Sequence, residues 1–386
     1  MPRPPTAPAP APVTARSAEL AHFYDALSAL GRHERRDSVR ILWLGDSHTA
    51  ADFWTGAVRS ALRERYGAGG PGFLRLGVQA RHDDASLARG GRFALEPHPP
   101  ARRAPEGDGV FGLGGMRVTA LAPGAHMTVK LAAGALRGRA RYTLLFDFKR
   151  PGEFQVRLGS SKSRLRSASA AERVASSPIL RRSFEGEPSD AFEIEVTRGE
   201  PRFYGVVVEG TEPGVVLDAV GIDGARIATT LAWAEPPFVA EVAARKPDLV
   251  VAAFGTNEAF DELRPSAYAE QLTALMSRLR RANKPDCLVM GPPDANAENG
   301  ESARRVAEIS AVYAATARSL GCAFVSAQAL MGGAGGFSEW LHREPQLARP
   351  DRIHLTPKGY RRLGELTFAS LLGEGAAAAA SLDSSR

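Results

Sequence analysis

Cysteine is scarce. The 386 residues hold two, Cys287 and Cys322, too few for a disulfide framework. Each opens an apolar run, "CLVMGPP" and "CAFVSA". Two readings stand: neighbouring parallel strands that bring the pair close enough to bridge, or two buried thiols acting as small hydrophobes. Long apolar runs are missing as well. None approaches the roughly 20 residues that a membrane-spanning helix needs, and no charged-then-apolar leader opens the chain. Despite a formal charge of +6, there is no dense Lys/Arg block interleaved with aromatics, which argues against nucleic acid as a partner. His126 and His342 lack companions at metal-ligand spacing, so neither a catalytic metal nor a cofactor is expected. The glycine-rich "GAGGPGF" (67–73) is followed by no phosphate-loop lysine and reads as a flexible loop beside a site.

What is present is ordinary globular material, 44% hydrophobic and 24% charged, enough for two or three domains. Residues 1–16 are a Pro/Ala tract that favours extended chain and reads as a tether. Such a start suits an exported protein whose signal or lipid anchor has been trimmed, and equally an arbitrary chain boundary. A short helix is expected over Ser17 to Leu30. Val39 to Leu44 is nearly all apolar, as a central parallel strand is. In "TAADFWTGAVRSALRERYG", Trp54, Ala57, Val58, Ala61 and Leu62 share one helical face until Gly67.

The texture changes near Gly90. Short alternating runs such as "HMTVKLA", "RYTLLFDF" and "FYGVVVEG", separated by turn residues, predict an antiparallel β-sandwich or jelly roll over 91–218, with weak helical periodicity only around Ser169 to Leu180. Strand-helix alternation then resumes: Leu249 to Phe254, a helix through Tyr268 to Leu279, Leu288 to Met290, a helix through Val306 to Leu320, Ala323 to Ser326, and a closing helix that starts near Pro357. The prediction is an α/β fold, a doubly wound parallel sheet over 17–90 and 219–372, interrupted by the all-β block. Residues 373–386 read as a disordered tail.

Ligands of such sheets bind outside the carboxyl ends of the strands. Here the first strand ends in "GDSH", and Ser47 also opens a helix, where backbone N–H groups are unsatisfied and the potential is positive. Another strand ends in "GTNE", where Asn257 offers a side-chain N–H₂ to a developing oxyanion. A serine needs a base. Of the eight histidines, His354 alone sits in a compact polar group, "DRIHLTP". Asp351, three residues earlier, can reach back to its Nδ1 and leave Nε2 to accept the serine proton. On its own, Ser47 would read as a helix cap; with the distant "GTNE" and "DRIH" it reads as a nucleophile. Asp46 reads as a loop-ordering hydrogen bonder, His48 as structural or at the pocket wall, and Trp54 as core. Thr49 stands where a lipase-type elbow needs its second glycine, against an α/β-hydrolase fold.

"GDSH", "GTNE" and "DRIH", in this order and at these ends of the chain, resemble the SGNH/GDSL hydrolase superfamily. The resemblance covers roughly 38–90 and 219–372. It implies a three-layer flavodoxin-like fold, Ser47, Asp351 and His354 as a catalytic triad, and an oxyanion hole from Ser47 N–H, Asn257 and a glycine. For that glycine "GIDGA" offers Gly221 and Gly224, of which Gly224 is preferred. The family's third block reads Gly-x-Asn-Asp; here it is Gly255-Thr256-Asn257-Glu258, a departure that keeps the Asn. "GDSHTAADFWTGAVRSALRERYGAGGPGF", "GIDGAR" and the β-rich block also resemble the bacterial peptidoglycan O-acetylesterases. These are exported enzymes with a carbohydrate-module-like insert. That implies a periplasmic or extracytoplasmic serine esterase acting on an acetylated polysaccharide. A glycan O-acetyltransferase with the same triad, or a carbohydrate-binding protein on an inactive scaffold, are the competing expectations.

Overall fold

The computed structural model describes residues 16–76, 81–104, 107–167, 178–261, 263–295 and 301–374. All but Arg16 of the expected tether, most of the expected tail and most of the weakly periodic segment 169–180 lie outside the described residues. The chain runs through β1 (Val39–Gly45) and β2 (Ala68–Gly70). It continues through β3 (Gly72–Leu74), β4 (Ala85–Gly90), β5 (Phe93–Glu96), β6 (Arg117–Ala120), β7 (His126–Leu131), β8 (Ala140–Leu158), β9 (Ser161–Arg166), β10 (Leu180–Gly186) and β11 (Phe192–Gly210). It closes with β12 (Val215–Gly221), β13 (Leu249–Ala253), β14 (Asp286–Gly291) and β15 (Ala323–Ser326).

Among the described residues, β1, β2 and β12 to β15 form one parallel sheet in the order β15-β14-β13-β1-β12-β2. Strands β3 to β11 form a second, antiparallel sheet. The architecture is therefore the α/β fold with an inserted β domain that the sequence predicts. Alternation along β1 explains its two layers. Ile41 and Trp43 pack with the helices Ala21–Gly31, Phe53–Tyr66 and Pro357–Leu371. Leu42 and Leu44 face the opposite way, toward Glu235–Arg245, Pro265–Arg280 and Glu301–Ser319. Because both faces are covered, the central strands read as continuous apolar runs. In the antiparallel sheet, the long β8 and β11 pair along their length, with register shifts between Val196 and Gly205. Bulges of this kind bend a sheet, and Phe154, Val156, Phe192, Ile194, Phe203 and Val206 form its own core.

Two expectations are corrected. The glycine block 67–73 is not a loop but the crossing between the sheets: β2 pairs with β12 and β3 with β11. Gly70 and Gly72 have φ of 127° and 79°. A Cβ at Gly70 would lie 2.5 Å from the Val208 carbonyl oxygen, and one at Gly72 2.3 Å from Asp218 Oδ1. Glycine here permits close approach of backbones, not flexibility. The antiparallel sheet thus begins at Gly72 and takes in β4, ahead of the boundary expected at residue 90. The helix expected to start at Ser47 is also broken. A short turn, Ser47–Ala50, is separated from Phe53–Tyr66 by Asp52, whose φ is 54°. The Asp52 carboxylate is buried and accepts from Thr55 Oγ1 at 2.8 Å and Arg59 Nη1 at 2.9 Å.

The two sheets are joined by buried charge. Asp218 on β12, fully buried, accepts from Phe73 N at 2.7 Å and from Arg245 Nε at 2.7 Å. Arg245 reaches on to Glu209 of β11 at 2.6 Å, and Glu209 receives Arg40 of β1 on both oxygens at 2.9 and 3.0 Å. Burial alone would raise the Glu209 carboxyl, but the charges of Arg245 and Arg40 outweigh it and hold the group down to about 2. A carboxyl depressed on folding contributes stability that is complete above its ordinary value and is lost as pH falls toward the folded value. Glu209→Gln removes the carboxylate that Arg40 and Arg245 share and is expected to cost roughly 3 kcal/mol in urea unfolding at pH 7. The gap to wild type should narrow as pH is lowered from about 4.5 toward 2; a gap constant across that window contradicts the assignment.

Candidate active site

Strands β12 and β13 flank β1 on opposite sides, so the carboxyl end of β1 opens between two crossovers running in different directions. Ser47 is the first residue of the turn that follows β1, and its N–H has no intrahelical acceptor. Two glycines let the turn sit there. A Cβ at Gly45 would meet Thr49 Oγ1 at 2.1 Å and the Ala253 carbonyl oxygen at 2.8 Å, and one at Gly221 would meet Ala50 N at 2.2 Å. Asp46 caps the turn, accepting from His48 N at 3.0 Å. Its carboxyl is buried, and burial chiefly, with Glu258 nearby, pushes it up to about 8.

Ser47 Oγ lies 3.0 Å from His354 Nε2, across 307 residues of sequence. His354 Nδ1 lies 3.0 Å from Asp351 Oδ2. A carboxylate only accepts, so Nδ1 carries the proton and Nε2 is left as an acceptor facing the serine. The other carboxylate oxygen, Oδ1, accepts from Ile353 N at 3.0 Å and His354 N at 2.8 Å, closing a tight turn through Arg352 at φ 63°. Burial acts to raise the Asp351 carboxyl, but those two N–H groups and the imidazole outweigh it and hold it below the usual carboxylate range. The three side chains proposed from the sequence are thus brought together.

Asn257 begins a single helical turn after β13 and donates from Nδ2 to the Ala225 carbonyl at 2.9 Å. That bond uses one N–H and fixes the amide, and the second N–H remains available. Gly224, at φ 72°, sits on the turn Ile222–Ala225 closed by Ala225 N to Ile222 O at 3.0 Å. Gly221 and Gly224 therefore separate by position: Gly221 packs under the Ser47 turn, whereas Gly224 lines the same cavity as Ser47. That cavity, about 390 Å³, is walled by Ser47, Asp223, Gly224, Asn257, Phe260, Ile353 and His354.

Three residues here, Glu258 behind the wall and Phe260 and Asp223 in it, are not marked as site residues by the sequence motifs. Glu258 is buried, with Oε1 accepting from Ile227 N at 2.8 Å and Oε2 from Gly255 N at 3.0 Å. One carboxylate therefore ties the Gly224 turn to the Asn257 turn. Burial, opposed by those N–H groups, pushes it up to about 7. The signal was in the sequence as the glutamate of "GTNE", but a pattern does not say what the longer side chain reaches. Phe260 and Asp223 carried no signal, because exposure in a folded cavity cannot be read from a motif. His48 is buried beside His354, with Nδ1 2.9 Å from Tyr360 Oη and its ring 5.4 Å from that of His354. Burial, then the neighbouring His354, drives it down to about 3, so it stays neutral.

Residues 189–362 match the GDSL-like Lipase/Acylhydrolase family, a span that includes Gly224, Asn257, Asp351 and His354. No curated protein matches the sequence. A solved peptidoglycan O-acetylesterase superposes with a TM-score of 0.77 at 22% identity, covering 92% of this chain and 96% of that one. A catalytic mutant of an acetylxylan esterase from Geobacillus stearothermophilus matches over 42% of this chain and 73% of its own, at 21% identity and a TM-score of 0.33, too loosely to build on. The chain thus carries a match to the GDSL-like Lipase/Acylhydrolase family over residues 189–362, on a fold shared along nearly its whole length with a solved peptidoglycan O-acetylesterase.

Proposed function

We propose that the chain is a serine esterase that removes O-acetyl groups from a cell-wall polysaccharide, with peptidoglycan as the substrate suggested by the activity of its structural relative. The observation that carries the reading is the 3.0 Å approach of Ser47 Oγ to His354 Nε2, with Asp351 on the far nitrogen. In this mechanism His354 takes the Ser47 proton as Oγ attacks the acetyl carbonyl carbon. The negative charge that develops on the carbonyl oxygen is met by Ser47 N–H, Gly224 N–H and the free N–H of Asn257. The tetrahedral species collapses as His354 passes the proton to the departing sugar oxygen. Water, deprotonated by the same imidazole, then attacks the acetyl-enzyme and releases acetate and free Ser47.

The compartment is part of the proposal. Cys287 and Cys322 are joined in a disulfide with Cα atoms 4.8 Å apart, which resolves the two readings of the cysteines in favour of the bridge. Disulfides persist in oxidising environments, which supports an extracytoplasmic enzyme. None of the described helices is long and apolar enough to cross a membrane. We assign residues 17–90 and 219–372 to the hydrolase domain, less β3 and β4, which belong to the inserted sheet.

Two measurements test this. Wild type should release acetate from O-acetylated peptidoglycan and label covalently with a fluorophosphonate. Ser47→Ala should lose the label and drop in kcat by at least about 10³-fold. Acetyl transfer to an added glycan in place of acetate release would make the enzyme a transferase, and a wild type that does not label would remove the nucleophile. The second concerns the Glu258 clamp. Glu258→Gln turns one of two acceptors into a donor facing a backbone N–H. A misplacement of the oxyanion donors by about 1 Å costs on the order of 10²-fold, so kcat on p-nitrophenyl acetate should fall 10- to 100-fold by that estimate, with KM little changed. An unaltered kcat would show that Glu258 does not position the hole.

A further inference from the structure

The wall of the cavity carries more than the triad and the oxyanion donors. Phe260 is 51% exposed and is the only aromatic among the large exposed apolar side chains of the described residues. It lines the same cavity as Ser47. Its backbone is rigidly held. The turn that bears it closes through Ala259 N to Gly255 O at 3.0 Å and Phe260 N to Asn257 O at 3.3 Å. Glu258 anchors that turn from below, and Asp261, the next residue, receives Arg103 and Arg226, both at 2.8 Å. The ring is thus presented to water by a fixed turn, and on the same turn as the oxyanion donor Asn257. The protein itself leaves about half of this ring uncovered, at the cavity that holds Ser47.

In the same cavity wall, Asp223 is exposed on the Gly224 turn; no described residue hydrogen-bonds its carboxylate, and the Arg75 guanidinium attracts it electrostatically. Its neighbours in sequence and space are engaged: Asp261 by two arginines, Glu258 by two N–H groups. An aromatic face and an exposed carboxylate in one cavity are a pair of complementary surfaces. The ring takes the C–H face of a flat, partly apolar ligand, and the carboxylate takes its O–H or N–H donors. A pyranose has both. An acetyl group attached to such a ring would carry it into this cavity when its carbonyl meets Ser47, because only the ester oxygen and at most one further carbon separate them. The carboxylate at this position favours a sugar presenting donors and opposes one presenting an acid there.

We infer that Phe260 and Asp223 form a pyranose subsite beside Ser47, with Phe260 stacking on the ring and Asp223 accepting from its hydroxyl or amide N–H groups. The inference rests on the proposed glycan esterase reading and adds the residues that select the sugar.

The test compares wild type, Phe260→Ala, Phe260→Trp, Asp223→Ala and Asp223→Asn on two substrates, O-acetylated peptidoglycan and p-nitrophenyl acetate. The readout is the ratio of kcat/KM on the glycan to that on the small ester, which cancels general damage to the triad. Phe260→Ala and Asp223→Ala are each expected to lower this ratio at least tenfold, mainly through KM on the glycan. Phe260→Trp should hold it within about threefold of wild type, since indole stacks as phenyl does. Asp223→Asn, which keeps an acceptor but loses the charge, should fall between. A ratio unchanged in both alanine variants, with wild type active on the glycan, overturns the subsite and leaves the esterase reading standing. A wild type that hydrolyses p-nitrophenyl acetate but releases no acetate from the glycan overturns both.

Discussion

The buried carboxylate of Glu258 spans two loops that come from different crossovers of the sheet. Its oxygens hold Ile227 N and Gly255 N, one beyond the Gly224 turn and one before the Asn257 turn. Neither donor belongs to the same local hydrogen-bonded unit, so no secondary structure would set their distance. An oxyanion hole works by donors that are already in place when charge develops, and its value lies in the reorganisation it avoids. A flexible pair of loops would forfeit that. The clamp explains why an ionisable group is tolerated in a site where burial pushes its proton affinity up to about 7. Two N–H donors left without an acceptor there would cost more than the carboxyl does.

Asp46 extends the same logic to Ser47, the proposed nucleophile. It is buried beside Glu258 and caps the Ser47 turn through His48 N. Gly45 and Gly221 give that turn room to pack against β13 and β12. Ser47 and the Gly224 and Asn257 turns are thus set by backbone contacts and buried acids. His354 arrives from the far end of the chain on a turn that Asp351 organises by itself, with one oxygen on the backbone and the other on the imidazole. That local arrangement lets the acid sit 44% exposed and still hold the imidazole: its partners are three residues or fewer away, so little chain entropy opposes them.

Much of this was legible in the sequence, and the parts that were not share a cause. The apolar run from Val39, the helical stripes through Tyr268 and Val306, and the alternation in "RYTLLFDF" report local burial, and burial has a period. "GDSH", "GTNE" and "DRIH" mark strand ends because polar residues interrupt apolar runs there. By contrast, "GAGGPGF" looks the same as a loop whether its glycines serve freedom or close approach; only the neighbours Val208 and Asp218 decide. The break at Asp52 depends on Arg59 seven residues on, and the helical stripe of Trp54 and Val58 conceals it. The Arg40–Glu209–Arg245–Asp218 network joins four segments with no sequence proximity, so its arginines read as scattered surface charge.

The fixed and the reactive parts of the molecule occupy opposite ends of the parallel sheet. At the amino ends of the strands, Arg35 pairs with Asp248 at 2.8 Å, and Asp248 also accepts from Arg40 N at 2.8 Å. Asp286 accepts from Phe23 N at 2.9 Å, and Cys287 is bonded to Cys322. A bridge closing a loop of this size removes roughly 4 kcal/mol worth of unfolded-chain freedom in the entropic model. At the carboxyl ends stand Ser47, Gly224, Asn257 and, from the closing segment, His354, around an open cavity with an exposed aromatic and an exposed acid. Active sites of this kind are locally unfavourable, since they leave donors, acids and apolar surface without partners until a substrate arrives. Covalent and ionic ties gathered at the other end of the same strands can offset that deficit without entering the chemistry, because the strands themselves are rigid and transmit position rather than charge.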